Sequence, residues 1–420
     1  MTRSRGTKLA LVAGAMLLAT GLALAGCARS VLDPRPGGSG SSTTPTIPPA
    51  GGSPSQSTPT PTAEPTPTPP PPSLGDQVRS RVAAMTLEQK AGQLIIVEWR
   101  RDARTAAEAT ELITQLNAGG VLLLGVGWTM GDTRAATAGV SALTATPGIR
   151  MFIAMDQEGG TVQRLSGAGV TPIPPATEQG SWPVEQLNAS AAGWANELIQ
   201  AGVNVNLAPV ADTVPADMVA TNEPIGSLNR QFGSDPVQVG EHAAAFVNGM
   251  SSRGVLTALK HFPGLGRVTA NTDFAASGIE DGITTVDDPY LEAFRLGMAA
   301  DPAMVMISSA VYPRIDPSRQ AMFSPAIITG LLRGRMGWDG LVIGDSMDAA
   351  AVAAIPAGQR AVDFVSAGGD LMTLRSAEDL QSAHQALVAQ IAASPDFAAQ
   401  VDAAVTRILL AKASAGLLDL

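Results

Sequence analysis

Eight short apolar runs, each followed by a longer amphipathic stretch, restrict this chain more than any other feature. They are LIIVE (94–98), GVLLLG (120–125), MFIAMD (151–156), VNVNLAP (203–209), LTALKHF (256–262), AMVMISS (303–309), LVIGDS (341–346) and DLMTL (370–374). Most are continuous rather than alternating, so both faces of each strand must be buried, as in a parallel sheet clothed by helices. The intervening segments, such as PVQVGEHAAAFVNGMSSRG (236–254), are Ala-rich with apolar residues at helical spacing. Eight such units in one chain predict an α/β fold of the (β/α)8 TIM-barrel type, a single catalytic domain over residues 73–420. The rival is an open doubly wound sheet. No GxGxxG or GxxxxGK loop follows the first strand, which weakens that rival. Hydrophobic residues make up 45% of the chain, enough for a large core, and aromatics only 4%, so that core is mainly aliphatic.

The segment before the barrel has a different character. MTRSRGTK is basic, LALVAGAMLLATGLALA is apolar and small, and Gly26-Cys27 follows. This predicts a signal peptide over 1–26. Leu24-Ala25-Gly26-Cys27 resembles the bacterial lipobox, with Cys27 as the lipidated residue. Residues 27–72 are Ser, Thr, Pro and Gly with almost no large apolar side chains. Such a stretch cannot bury enough surface to fold, and its prolines keep it extended. The expectation is an extracytoplasmic protein tethered to the cell membrane by a lipid anchor at Cys27. Cys27 is the sole cysteine, so no disulfide forms within the chain. A formal net charge of −10 argues against nucleic acid as a partner.

A barrel places its chemistry at the C-terminal ends of its strands. Asp156 ends the third run, Asn206 and Asp212 lie at or after the fourth, Lys260 and His261 end the fifth, and Asp345 ends the seventh. Lysine occurs only at 8, 90, 260 and 412 while arginine is abundant, so a lysine at a strand end is notable. No metal is expected. His242 and His384 lie in helical segments without ligand spacing to a carboxylate or cysteine. No GxSxG elbow supports serine hydrolysis. Carboxylates and cations around a polar mouth suit glycoside hydrolysis, in which one carboxylate attacks or assists and an acid protonates the leaving oxygen.

The motifs MDQEGGTVQRL (155–165), NLAPVADT (206–213), IGSLNRQFGSDP (225–236), LKHFPGLG (259–266) and GWDGLVIGDSMDAAAV (337–352), preceded by MTLEQKAGQLIIV (85–97), resemble glycoside hydrolase family 3, in its single-domain β-N-acetylglucosaminidase branch. The resemblance implies Asp345 as nucleophile of a retaining mechanism. It implies sugar-binding roles for Asp156, Arg164, Arg230, Lys260 and His261. It also implies an amino-sugar glycan as substrate, such as a peptidoglycan fragment, with no cofactor, and the chain is expected to act as a monomer. Alternatives are a β-glucosidase or β-xylosidase of the same family and a noncatalytic glycan-binding lipoprotein.

One loop departs from the family pattern. Leu265 stands where the branch has the histidine of Pro-Gly-His-Gly, and Asn271, Thr272 and Asp273 where it has Asp-Ser-His, whose histidine is the acid/base. Ser309 lies near a sixth-strand position that often carries histidine. Asp273 is the first candidate for the acid/base, helped by an Asn271 hydrogen bond and by Phe274 excluding water. Glu280 or Asp281 from the same loop is the second. Loss of hydrolysis with retained sugar binding is the third.

Overall fold

The computed structural model describes residues 72–143 and 146–420. The signal peptide expected over 1–26, Cys27 and all but the last residue of the linker expected over 27–72 lie outside the described residues. The apolar runs become eight parallel strands: β1 (Ile95–Arg100), β2 (Gly120–Leu124), β3 (Phe152–Met155), β4 (Val205–Asn206), β5 (Leu256–Phe262), β6 (Met304–Ile307), β7 (Leu341–Gly344) and β8 (Met372–Leu374). They pair in the order β7-β6-β5-β4-β3-β2-β1-β8. A parallel bridge from Ile343 to Leu371 brings β7 to β8, and Gly344 N donates to Leu371 O at 2.9 Å across that seam. The ring of the expected barrel is thereby closed. β4 is the shortest strand although its apolar run is as long as the others. Pro209 has no N–H to extend the ladder, and pairing resumes only as a bridge from Val210 to Lys260.

A helix follows each strand: α1 (Ala106–Leu116), α2 (Met130–Ser141), α3 (Val184–Gln200), α4 (Pro236–Ser251), α5 (Leu291–Met298), α6 (Ala326–Arg335, wound as a π-helix), α7 (Ala357–Ser366) and α8 (Ala377–Ala393), with α9 (Pro395–Ser414) last. The starts are written in the sequence. Thr105 accepts from Glu108 N while Glu108 reaches back to Thr105 N, a reciprocal cap for α1. Asp235 caps α4 and Pro236 fills its first position, where the missing N–H costs nothing. His242 on α4 and His384 on α8 are buried and bond backbone carbonyls, His242 those of Gln238 and Trp182 and His384 that of Glu88. Both serve packing, as expected.

The N-terminal end of the barrel is plugged by Lys412 of α9. Its side chain is fully buried, and Nζ donates to Gln93 Oε1 and Gly119 O, both at 2.8 Å, above the Phe152 ring. No carboxylate faces it among the described residues, and burial pushes the amine down to about 7. The folded state therefore sheds this proton far earlier than the unfolded chain, whose lysines titrate near 10.4. Below pH 7 both states carry it. Between about 7 and 10 only the unfolded state does, so Lys412 stabilises progressively as pH rises. The stability difference between wild type and Lys412→Met, from urea unfolding at pH 6.5 and 9.5, is expected to move toward wild type by up to roughly 3 kcal/mol. A difference independent of pH would show that Lys412 stays charged.

Candidate active site

At the opposite end, loops after β3, β4, β5 and β7 bring the polar residues together. Lys260 points from β5 and places Nζ 2.8 Å from Asp156 Oδ1 and 2.6 Å from Glu158 Oε1. Arg230, on the loop after β4, forks onto Glu158: Nε lies 2.9 Å from Oε2 and Nη2 2.8 Å from Oε1. Its Nη1 donates to Pro224 O at 2.8 Å, which fixes the plane of the guanidinium. Arg164 sits farther out, Nη2 3.9 Å from Asp156 Oδ2. Its place is set by Gln157, whose Oε1 accepts from the backbone N–H of both Arg164 and Leu165. Asn206 at the tip of β4 in turn exchanges hydrogen bonds with the Gln157 backbone. The hairpin formed by Gln157–Gly159 and Val162–Gln163 is thus pinned to the barrel by side-chain amides.

These charges are buried but matched. Lys260 is 2% exposed and Glu158 6%. Burial alone would neutralise both. Against that penalty, Arg230 and Lys260 hold the Glu158 carboxyl well below the usual carboxylate range. Asp156 and Glu158 likewise outweigh desolvation of Lys260 and raise its amine above the ordinary value. The result is a rigid alternation of donors and acceptors, suited to an array of hydroxyl groups.

His261 follows Lys260 and faces Asp212. Its Nδ1 lies 2.7 Å from Asp212 Oδ2, while Asp212 Oδ1 accepts from the backbone N–H of His261 and Leu265. Asp212 is fully buried. Its acceptors assign the ring proton to Nδ1 and leave Nε2 without a partner among the described residues. Leu265, at the departed histidine position, is 2% exposed and packs into the core.

Asp345 is the first residue after β7. Its backbone N–H donates to Ile307 O at 2.9 Å, and its Oδ1 accepts from Ser346 N at 2.8 Å. No cation pairs with it among the described residues. Asp273 reaches the same region from the loop after β5. Ala350 N donates to Asp273 O and Ala351 N to Thr272 O, so that loop is bonded through its main chain to the segment that follows Asp345. Burial, and then the nearby Asp345 charge, push the Asp273 carboxyl up. The side chain nevertheless meets solvent at the rim, as an exchangeable proton requires.

Three expectations for this loop are corrected. Asn271 does bond Asp273, but its Oδ1 accepts from the Asp273 backbone N–H at 3.0 Å, forming a turn rather than orienting the carboxyl. Phe274 is 84% exposed and shields nothing. Asp281 is no free carboxylate: its Oδ1 accepts from Ile283 N and Thr284 N, and its Oδ2 from Thr284 Oγ1 at 2.6 Å. Glu280 lies in a backbone bridge to Val311. The base of the loop is held by Arg267, which donates to Thr284 Oγ1 and Asp288 Oδ2 and lies over the Tyr290 ring. Ser309, past the end of β6, is fully buried, and its hydroxyl has no hydrogen-bond partner among the described residues.

The structure therefore gathers Asp156, Arg164, Arg230 and Lys260 around one cluster of charge, with His261 beside Lys260 and Asp345 and Asp273 linked across the mouth. Glu158 was not anticipated, though it shares a face with Asp156 two residues earlier and so carried the period-two signal of a strand end. Asp212 was noted at a strand end without a role; it orients His261. Chemically, the mouth offers a cation–carboxylate array for hydroxyls, a carboxylate for attack on carbon, and a carboxyl that retains its proton above the ordinary range.

Comparison with known proteins follows the same lines. Residues 86–411 match the family model described as the glycosyl hydrolase family 3 N terminal domain. A β-hexosaminidase of Xylella fastidiosa is 36% identical over 209 residues, covering 48% of this chain and 60% of the relative. Thus the chain spans about 60% of the length of that relative in the matched region. A β-hexosaminidase of Chromobacterium violaceum is 32% identical over 288 residues and is covered over 77% of its length. The crystal structure of a β-N-acetylhexosaminidase from Beutenbergia cavernae superposes with a TM-score of 0.74 at 44% identity, over 79% of this chain and 99% of the other.

Proposed function

This chain belongs to glycosyl hydrolase family 3, and we propose that it is a retaining β-N-acetylglucosaminidase that removes terminal sugars from peptidoglycan fragments or related envelope glycans. The observation that carries the proposal is the meeting of two carboxyl groups at one mouth, each held in its own way. Asp345 is held at a strand tip by backbone contacts, and Asp273 is pushed toward its protonated form beside it. Asp345 attacks the anomeric carbon as Asp273 delivers its proton to the glycosidic oxygen. A water, deprotonated by the resulting Asp273 carboxylate, then releases the sugar with its configuration retained. Asp156, Arg164, Arg230, Lys260 and His261 hold the sugar hydroxyls. The choice of an N-acetyl sugar is supported by the names of the relatives above. Lipidation at Cys27 and an extracytoplasmic location are part of the same proposal, supported by the Leu-Ala-Gly-Cys sequence and the tether.

The purified protein should release the aryl group from aryl β-N-acetylglucosaminide with kcat/KM at least roughly 100-fold above that for the matching β-glucoside, the scale a hydrogen-bonding pocket achieves. Preference for the glucoside would replace the assignment with a β-glucosidase. Folded protein that releases neither, yet binds the sugar saturably, would be a glycan-binding lipoprotein.

A further inference from the structure

A buried carboxylate outside this machinery leads to a second recognition element. Glu98 lies on β1 and is 1% exposed; burial pushes its carboxyl up to about 7 despite a cation beside it. That cation is Arg375, the first residue after β8, whose Nε lies 3.1 Å from Glu98 Oε2. The Arg375 main chain is held on both sides. Its N–H donates to Asp348 Oδ2 at 2.5 Å, and its carbonyl accepts from Arg104 Nη2. Yet its side chain is 48% exposed, and neither terminal nitrogen has a partner among the described residues. An arginine anchored through Nε presents its other two nitrogens as a fork, the geometry that grips a planar anion in bidentate fashion.

Position decides which part of a substrate meets that fork. The Lys260 and Glu158 side chains are 3% and 5% exposed and mark the closed end of the site. Arg375 is at the open rim. It lies beside Asp348, three residues beyond Asp345, and against the burial penalty Glu98 first, then Asp348 and Asp273, hold its proton more tightly. Asp273, Asp345 and Asp348 stand on this rim, and of the arginines in the neighbouring turn after β1, Arg104 is turned to the Arg375 carbonyl. An anionic group arriving beside those carboxylates meets in Arg375 a cation fixed to receive it.

We infer that Arg375 is a specificity-determining residue that binds an anionic group, a carboxylate or phosphate, on the leaving portion of the substrate. The inference rests on the glycosidase assignment for the orientation of the substrate, but the presence of the anion site can be measured without turnover. The probes are three thio-linked aryl β-N-acetylglucosaminides, which resist cleavage: one neutral, one with a carboxylate on the ring, one with a phosphate ester there. Calorimetric titration of the full chain should show roughly tenfold tighter binding of one anionic probe than of the neutral one. That ratio should collapse toward one in Arg375→Met and survive in part in Arg375→Lys. The double variant Glu98→Gln/Arg375→Met removes the orphaned buried acid, so a folding defect cannot mimic the result. The tighter of the two anionic probes names the group. Equal affinity of wild type for all three probes, or a preference unchanged in both Met variants, would overturn the inference. Binding of the anionic probes with no hydrolysis of their oxygen-linked counterparts would sink the hydrolase assignment while leaving the anion site standing.

Discussion

Asp345→Asn should lower kcat on aryl β-N-acetylglucosaminide by about 10^4-fold while leaving the melting temperature nearly unchanged. The separation of the two effects follows from how Asp345 is held. Its backbone belongs to the barrel through the bond from its N–H to Ile307 O, which any residue makes. Its side chain accepts one local bond from Ser346 N, and an amide oxygen accepts that bond equally well. No ion pair is lost, so the stability cost should stay within roughly 0.5 kcal/mol. The chemistry depends on the charge, because an amide cannot form the glycosyl ester. Wild type incubated with a 5-fluoro-N-acetylglucosaminyl fluoride, which keeps the acetamido group, should gain the mass of one sugar on the peptide containing Asp345, and the variant should not. Retention of more than a tenth of wild-type turnover would remove Asp345 from the nucleophile role.

Asp273→Ala should act in a graded way. Proton delivery matters in proportion to the basicity of the departing oxygen. Loss in kcat/KM should therefore reach roughly 10^2- to 10^4-fold for sugar or alkyl leaving groups and stay below about tenfold for dinitrophenyl. The pH profile supplies a second readout. Burial and Asp345 raise the Asp273 carboxyl, so the competent acid persists to higher pH than an ordinary aspartate and governs the alkaline limb. That limb should vanish in the variant for dinitrophenyl substrates. Equal losses across leaving groups would remove Asp273 from this role and direct attention to His261, whose Nδ1 is backed by Asp212 and whose Nε2 has no partner among the described residues.

The barrel was legible because a strand buried on both faces leaves a local record, an unbroken apolar run. The polar residue that ends each run is recorded in the same way, which is why Asp156, Lys260, His261 and Asp345 could be named from sequence. Pairings between distant residues leave no such record. Glu158 meets Arg230 72 positions away, and Asp212 meets His261 49 positions away. Neither spacing means anything until the barrel closes. The loop after β5 was the least legible segment because short polar residues there satisfy one another. Asn271 and Asp281 look like free functional groups in sequence and are absorbed into turns in the structure. Glu98 and Arg375 were missed for a related reason, since the first and last strands become neighbours only at the seam between β1 and β8.

Among the described residues, the loop bearing Asp273 is hydrogen-bonded to the segment beyond Asp345 by the carbonyls of Thr272 and Asp273 alone. Nothing in that attachment consults the side chain at 273. A different proton donor could therefore stand at this position without re-engineering the support beneath it. The same independence makes residue 273 a natural point for directed evolution, where leaving-group range can be retuned while the rest of the mouth is left as it stands.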